Sequence, residues 1–312
     1  AMFFLSLIVG GSVSISEAFQ AVFTSAKDSY ITTIVWDIRL PRVLIAILVG
    51  AGLSACGCVF QSVLRNPLAD PYTLGIASGA ALGAGIGSMA GIGGMGISFT
   101  AFVGALGSVA FVYYIASRKY FSVPTLILAG VSLSFLLSSL IIFIYVIVDP
   151  DRYHSIMLWM LGDLSATGPV SVVITALVVI PGIIYLTAFS SEIDIMSLGE
   201  EKAGHLGVET EKTIAAVFIV SSLITAVCVA AAGIIGFVGL IIPHFMRRFA
   251  GAKNLILIPA SALAGAAFLA LADLVSRTVM NPMELPIGVI TGIIGGSFFI
   301  YLLVAKGDWK LY

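Results

Sequence analysis

The sequence predicts an all-α, polytopic membrane protein with about ten transmembrane helices, and three observations predict it. The 312 residues are 60% hydrophobic and 10% charged, with a mean hydropathy of +1.13. A soluble domain of this length needs a polar surface that such a composition cannot supply. The apolar residues also come in runs near the ~20 residues a helix needs to cross a bilayer, longer than the ~10 alternating residues of a barrel strand. Finally, glycine is abundant, at 33 residues. In lipid, small residues let helix backbones approach closely. A single transmembrane domain, 1–312, accounts for the chain.

In chain order, 2–13 is apolar but too short to span, and reads as the outer part of a first helix truncated at its N-terminus. The stretch 14–40 is polar and mixed. Pro41 fixes its own φ and biases Leu40 towards an extended conformation, so Arg39 to Arg42 reads as a rigid turn. Apolar runs follow near 42–63, 72–90, 97–117, 123–148, 170–189, 213–232, 234–246, 256–275 and 286–304. With the first they make ten; 234–246 is short and Gly-rich. Asp149 to Arg152 reads as a turn. It leads into a short helix over 153–164 at the outer interface, where Tyr153 and Trp159 would sit well.

Lys and Arg set the orientation, because inner loops carry the excess. With the N-terminus in the cytoplasm, inner loops hold Arg65, Arg118, Lys119, Lys202, Lys212, Arg247, Arg248, Lys253, Lys306 and Lys310. Outer loops hold Lys27, Arg39, Arg42, Arg152 and Arg277. Arg39, Arg42 and Arg277 run against the trend and need another reason to be outside. Asp273 and Arg277 are spaced i, i+4 with the acid first, as in a helical ion pair.

This orientation puts the polar island 190–212 in the cytoplasm. In a chain that almost avoids charge, it holds Glu192, Asp194, Glu200, Glu201, Lys202, His205, Glu209, Glu211 and Lys212. Its core, EEKAGHLG from Glu200 to Gly207, predicts a short helix, a sharp turn at Gly204 and Gly207, and a second short helix. A solvated connector is the plain alternative, but the loop is long for a bundle connection.

Several function classes are disfavoured. No carboxylate lies near the middle of an apolar run, where ion-coupled carriers place one. There is no G-x-x-x-x-G-K-[ST] phosphate loop, so any ATP chemistry belongs to another chain. His154, His205 and His244 are scattered and form no ligand set. Cys56, Cys58 and Cys228 fall inside apolar runs, as small packing residues do. No basic n-region marks a cleavable signal peptide.

Several stretches taken together carry a resemblance. Arg39-Leu-Pro-Arg42 precedes a run ending Gln61-Ser-Val-Leu-Arg-Asn66-Pro67-Leu68-Ala69-Asp70-Pro71, then Leu74-Gly75-Ile-Ala-Ser78-Gly79. Later come Gly233-Ile-Ile-Gly236-Phe237-Val-Gly239-Leu-Ile-Ile-Pro243-His244-Phe-Met-Arg247, Leu271-Ala-Asp273-Leu-Val-Ser-Arg277 and Glu284-Leu-Pro286-Ile-Gly288-Val-Ile-Thr291-Gly292. In this order, along essentially the whole chain, they resemble the FecCD family of ABC importer permeases, which serves vitamin B12, haem and iron–siderophore uptake.

The resemblance implies a multi-pass permease of the bacterial or archaeal cytoplasmic membrane. It would work as a pair, usually a homodimer, with two cytoplasmic ABC ATPase subunits and a periplasmic or lipid-anchored binding protein. No cofactor is expected on this chain, ATP and Mg belonging to the ATPase, and no nucleic-acid partner. Glu200, Glu201, Lys202, Ala203, Gly204, His205, Leu206 and Gly207 match the ATPase-coupling segment. Arg39, Arg42 and Arg277 match an outer basic pocket that receives acidic side chains of the binding protein. The helix holding Ser122, Thr125, Ser132, Ser134 and Ser138 matches the one that lines the pathway, together with the last helix. The expected cargo is a bulky metal chelate, iron–siderophore or haem before cobalamin. The rivals are a secondary transporter or channel working without an ATPase, and a membrane scaffold, which would not need the polar island.

Overall fold

The computed structural model describes residues 6–7, 30–148, 150–165, 167–280 and 283–305. The first apolar run therefore lies outside the described residues except for Ser6 and Leu7, which are helical. The described elements are helical: α1 (Tyr30–Val63), a 3-10 turn (Pro71–Leu74), α2 (Ile76–Met89), α3 (Met95–Ser117), α4 (Val123–Ile147), α5 (Pro150–Met160) and α6 (Pro169–Ala188). Then come α7 (Ser190–Met196), α8 (Glu200–His205), α9 (Thr210–Ala232), α10 (Val238–Ala250), α11 (Asn254–Thr278) and α12 (Ile287–Ala305). Each apolar run from 42 onward corresponds to a helix.

α1 starts about a dozen residues before its apolar run, and the rigid turn expected at Arg39–Arg42 is absent. Leu40 is helical, with φ −62° and ψ −52°. The reason lies just upstream, where Ile34–Arg39 forms a π-helical segment. The wider turn accommodates the missing N–H and the ring of Pro41, which an ordinary helix interior resists.

α1 is also the centre of the bundle. Its most apolar stretch is 78% buried, against 22% for the corresponding stretches of α4 and α6. Small residues make this possible. A Cβ on Gly50 would lie 2.2 Å from the Gly265 carbonyl oxygen of α11, and one on Gly57 only 1.8 Å from that of Gly239 in α10. Gly57→Ala is therefore expected to push α1 and α10 apart, at about 1–3 kcal/mol or more. The check is a lowered thermal midpoint in detergent, next to an unchanged midpoint for Gly107→Ala, whose Cβ would meet nothing.

Two spans are irregular. The run 72–90 becomes the 3-10 turn plus a 14-residue helix, and the run 234–246 becomes a non-helical 233–237 followed by α10. The two breaks meet. The Tyr72 hydroxyl donates to the Ile235 carbonyl at 3.2 Å and accepts from the Ile235 N–H at 3.3 Å. Asp70 caps the turn, its Oδ1 accepting from the Tyr72 N–H at 2.9 Å. Non-helical backbone inside a membrane protein needs such internal partners, since lipid offers none. α5 begins at Pro150, three residues before its expected start.

Candidate functional site: a polar segment and two polar clusters

The island between α6 and α9 folds as α7, a turn at Ser197–Gly199, α8 and a second turn into α9. Two short helices are present, but the break falls before Glu200. Gly204 sits inside α8; Gly199 and Gly207 carry the left-handed φ of +111° and +88°. A glycine costs a short helix about 1 kcal/mol, which α8 tolerates. Of the eight residues Glu200–Gly207, only Ala203 is buried. Glu200 is half-buried, whereas Glu201, Lys202, Gly204, His205, Leu206 and Gly207 are exposed. Leu198 and Leu206 are 55% and 61% exposed on either side of α8.

Glu200 points into the bundle. Its Oε1 accepts from the Val123 N–H at 3.2 Å, at the first residue of α4. Ser122 does not cap that helix itself; its hydroxyl pairs with Thr125 at 2.7 Å. The carboxylate thus sits at the positive end of the α4 dipole and satisfies an orphan donor. Thr125 and Ser132 lie seven residues apart along one open groove with Phe111 and Leu136. Ser134 returns its hydroxyl to the Gly130 carbonyl at 2.8 Å, while Ser138 is exposed. The five hydroxyl residues therefore do not share one face.

A polar cluster closes the C-terminal end of α1. The Arg247 Nη1 donates to the Gln61 Oε1 at 2.6 Å, and the Gln61 Nε2 donates to the carbonyls of Gly239 and Leu240 at 3.3 and 3.1 Å. Asp194 of α7 accepts from the backbone and side-chain nitrogens of Asn254 at 3.0 and 2.6 Å. This ties the polar segment to the start of α11. Gln61 and Asn254 are uncharged and stand at the edges of apolar runs, where composition alone gives them no weight.

A second cluster lies towards the opposite end of α1. Arg42 reaches Asp273 Oδ1 at 2.8 Å and Glu284 Oε2 at 2.7 Å. Arg277 Nε lies 3.1 Å from Asp273 Oδ2, as the i, i+4 spacing predicts, though not aligned as a hydrogen bond. Arg277 also donates to the Ser6 carbonyl at 3.0 Å, and Arg39 to that of Leu7 at 3.2 Å. Arg39, Arg42 and Arg277 are only 4%, 7% and 7% exposed. They come together, as the sequence grouped them, but inside the molecule. They hold Ser6 and Leu7, α1, α11 and the segment before α12 to one another. Glu284 is the outward member, its side chain 49% exposed.

A bundle of long apolar helices around a buried mast, with broken spans and an ordered polar segment at one end, defines a multi-pass membrane permease. The chain belongs to the FecCD transport family, whose sequence pattern matches residues 1–305. It is 40% identical over 272 residues to the cobalamin import system permease protein BtuC of Halobacterium salinarum, covering 86% of this chain and 73% of that one. It is 31% identical over 308 residues to the hemin transport system permease protein HmuU of Yersinia pestis, covering 95% and 91%. Among solved structures it superposes on one described as an inward-facing conformation of a metal-chelate type ABC transporter. There the TM-score is 0.87 at 31% identity, covering 98% of this chain and 96% of that one.

Proposed function

We propose that the chain is the transmembrane subunit of an ATP-driven importer for a bulky metal chelate in a bacterial or archaeal cytoplasmic membrane. The carrying observation is α8, anchored by the buried Ala203 and presenting Leu198 and Leu206 to the cytoplasm on a polar segment. Exposed leucines on an ordered segment suit a protein partner, and family membership makes an ABC ATPase that partner. ATP and Mg belong to that ATPase. Two copies of this chain would enclose the pathway on their axis, and ATP-driven closure would rock them between inward- and outward-open states. The open faces of α4, including Thr125 and Ser132, and of α12 are the surfaces offered to that axis. Small, weakly polar groups suit a large cargo that must not stick.

Iron–siderophore or haem is the cargo favoured, in line with the hemin-transport relative. Cobalamin is the alternative, in line with the other. Outside the membrane, a periplasmic or lipid-anchored binding protein would dock over the arginine cluster. Arg39, Arg42 and Arg277 against Asp273 and Glu284 leave it one positive charge, which favours an acidic partner. A partner carboxylate would reach Arg42 by displacing the half-exposed Glu284.

The test is transport in proteoliposomes with the ATPase co-purified. Uptake is expected to require ATP and to persist with a proton ionophore. Gly207→Val should lose ATPase co-purification or transport, because valine strongly resists a φ of +88°. Uptake that survives without ATP and collapses with the ionophore would return the secondary-transporter reading.

A further inference from the structure

Beside the coupling segment lies a cavity of about 430 Å³ between α1, the α7–α8 turn, α10 and α11. Gln61, Ser62, Arg65, Ser197, Arg247 and Asn254 line it. Its volume is within the roughly 300–1,000 Å³ of small-molecule sites. Its charge is one-sided. Arg65 is exposed, and its side chain makes no hydrogen bond or ion pair among the described residues. Among the described residues, the Arg247 guanidinium donates only to the neutral oxygens of Gln61 at 2.6 Å and Ser62 at 3.5 Å. No carboxylate is in the wall among the described residues. Asp194 does not line the cavity, and its Oδ1 accepts from both Asn254 nitrogens. Arg248 and Lys253 add two exposed cations on neighbouring stretches.

Two guanidiniums facing one cavity, each with donors to spare, match the oxygens of a phosphate group. Ser62, Asn254 and Ser197 supply further polar groups. The position fits as well, since basic pockets between helices on the cytoplasmic side hold phospholipid headgroups. From these observations we infer that the cavity is a binding site for a phosphate group, carried by an anionic lipid of the inner leaflet or by a soluble phosphate. A bound phosphate would join Arg65 and Arg247 to Ser197, two residues from Gly199, and so stiffen the segment that presents α8. The Arg65 guanidinium already leans on that segment, 3.1 Å from where a Cβ on Gly199 would be.

The experiment uses the delipidated full chain in detergent. Phosphatidylglycerol retained by the protein is counted by native mass spectrometry, with phosphatidylcholine as the neutral comparison. Inorganic phosphate is titrated separately by thermal shift, against chloride at matched ionic strength. If the source is lipid, phosphatidylglycerol is retained at least tenfold better than phosphatidylcholine, and Arg65→Gln and Arg247→Gln each cut that preference severalfold. If the source is soluble, the lipids are retained alike, but phosphate raises the unfolding midpoint and the same variants abolish the rise. Arg247→Gln also frees Gln61, so the exposed Arg65→Gln separates lost binding from damaged packing. The inference is overturned if neither ligand distinguishes the parent protein from Arg65→Gln.

Discussion

Arg42→Met is expected to destabilise the protein by about 3–5 kcal/mol, the largest loss foreseen for one side chain here. Asp273 is completely buried and receives Arg42 on one oxygen and Arg277 on the other. Removing Arg42 leaves a buried carboxylate with half its compensation and frees Glu284. The loss comes from stranding charge, so it should shrink when the charge goes too: Arg42→Met/Asp273→Asn should unfold at higher temperature than Arg42→Met alone. Glu284→Gln removes a charge that water already reaches and should cost under about 1 kcal/mol. Thermal unfolding of the four proteins in one detergent checks the order. If Arg42→Met matches the parent, the cluster is not holding the outer ends together. The same geometry decides how docking must be probed. Arg42→Glu would put a third carboxylate against Asp273 and Glu284, so lost binding could not be told from lost structure. Charge changes at Glu284 can be, read as association rate with the binding protein across ionic strengths.

The helices were legible because hydropathy over ~20 residues reports a requirement of the bilayer, whatever the tertiary partners. The polar island was legible for the complementary reason: charge in a chain without charge has to be in water. What stayed hidden depends on depth and contact. A short or glycine-rich run such as 234–246 looks like a weak span, and nothing local says that 233–237 is non-helical or that Tyr72 supplies its partner. The π-helical segment before Pro41 depends on the long helix continuing upstream, whereas proline rules judge the dipeptide alone. The three arginines that the charge rule singled out do come together in the structure. Their burial follows from Asp273, whose spacing exposed its pairing with Arg277 but not that with Arg42, 231 residues away. Gln61 and Asn254 carried no compositional signal, because an uncharged amide beside an apolar run is common, and only the fold brings Arg247 and Asp194 to them.

Glu200→Ala is expected to separate ATP hydrolysis from transport. The ATPase would touch the exposed side of α8, and Glu200 lies on the other side, with its carboxylate on the Val123 N–H at 3.2 Å. That contact spans 77 residues of sequence and joins the docking helix to the first residue of α4. One face of α4 packs on the chain, and only 22% of its most apolar stretch is buried. Its firm point is Gly130, packed so closely on the 3-10 turn that a Cβ there would lie 2.7 Å from the Leu74 Cα. A helix gripped at its end and pinned two turns further on can pivot, so a displacement of α8 would swing the face that carries Ser132. A hydrogen bond to a charged acceptor is worth about 1.5–3 kcal/mol, and 1.4 kcal/mol is tenfold in an equilibrium. Losing it should reduce transport by roughly tenfold or more, while ATPase co-purification and hydrolysis stay near the parent level because the exposed face is untouched. Glu200→Gln keeps an oxygen to accept from Val123 without the charge, and should recover part of the transport. Uptake and hydrolysis measured in the same proteoliposomes give the ratio that matters. Parent-level uptake in Glu200→Ala, with the ATPase still bound, would mean that α4 is driven by some other contact.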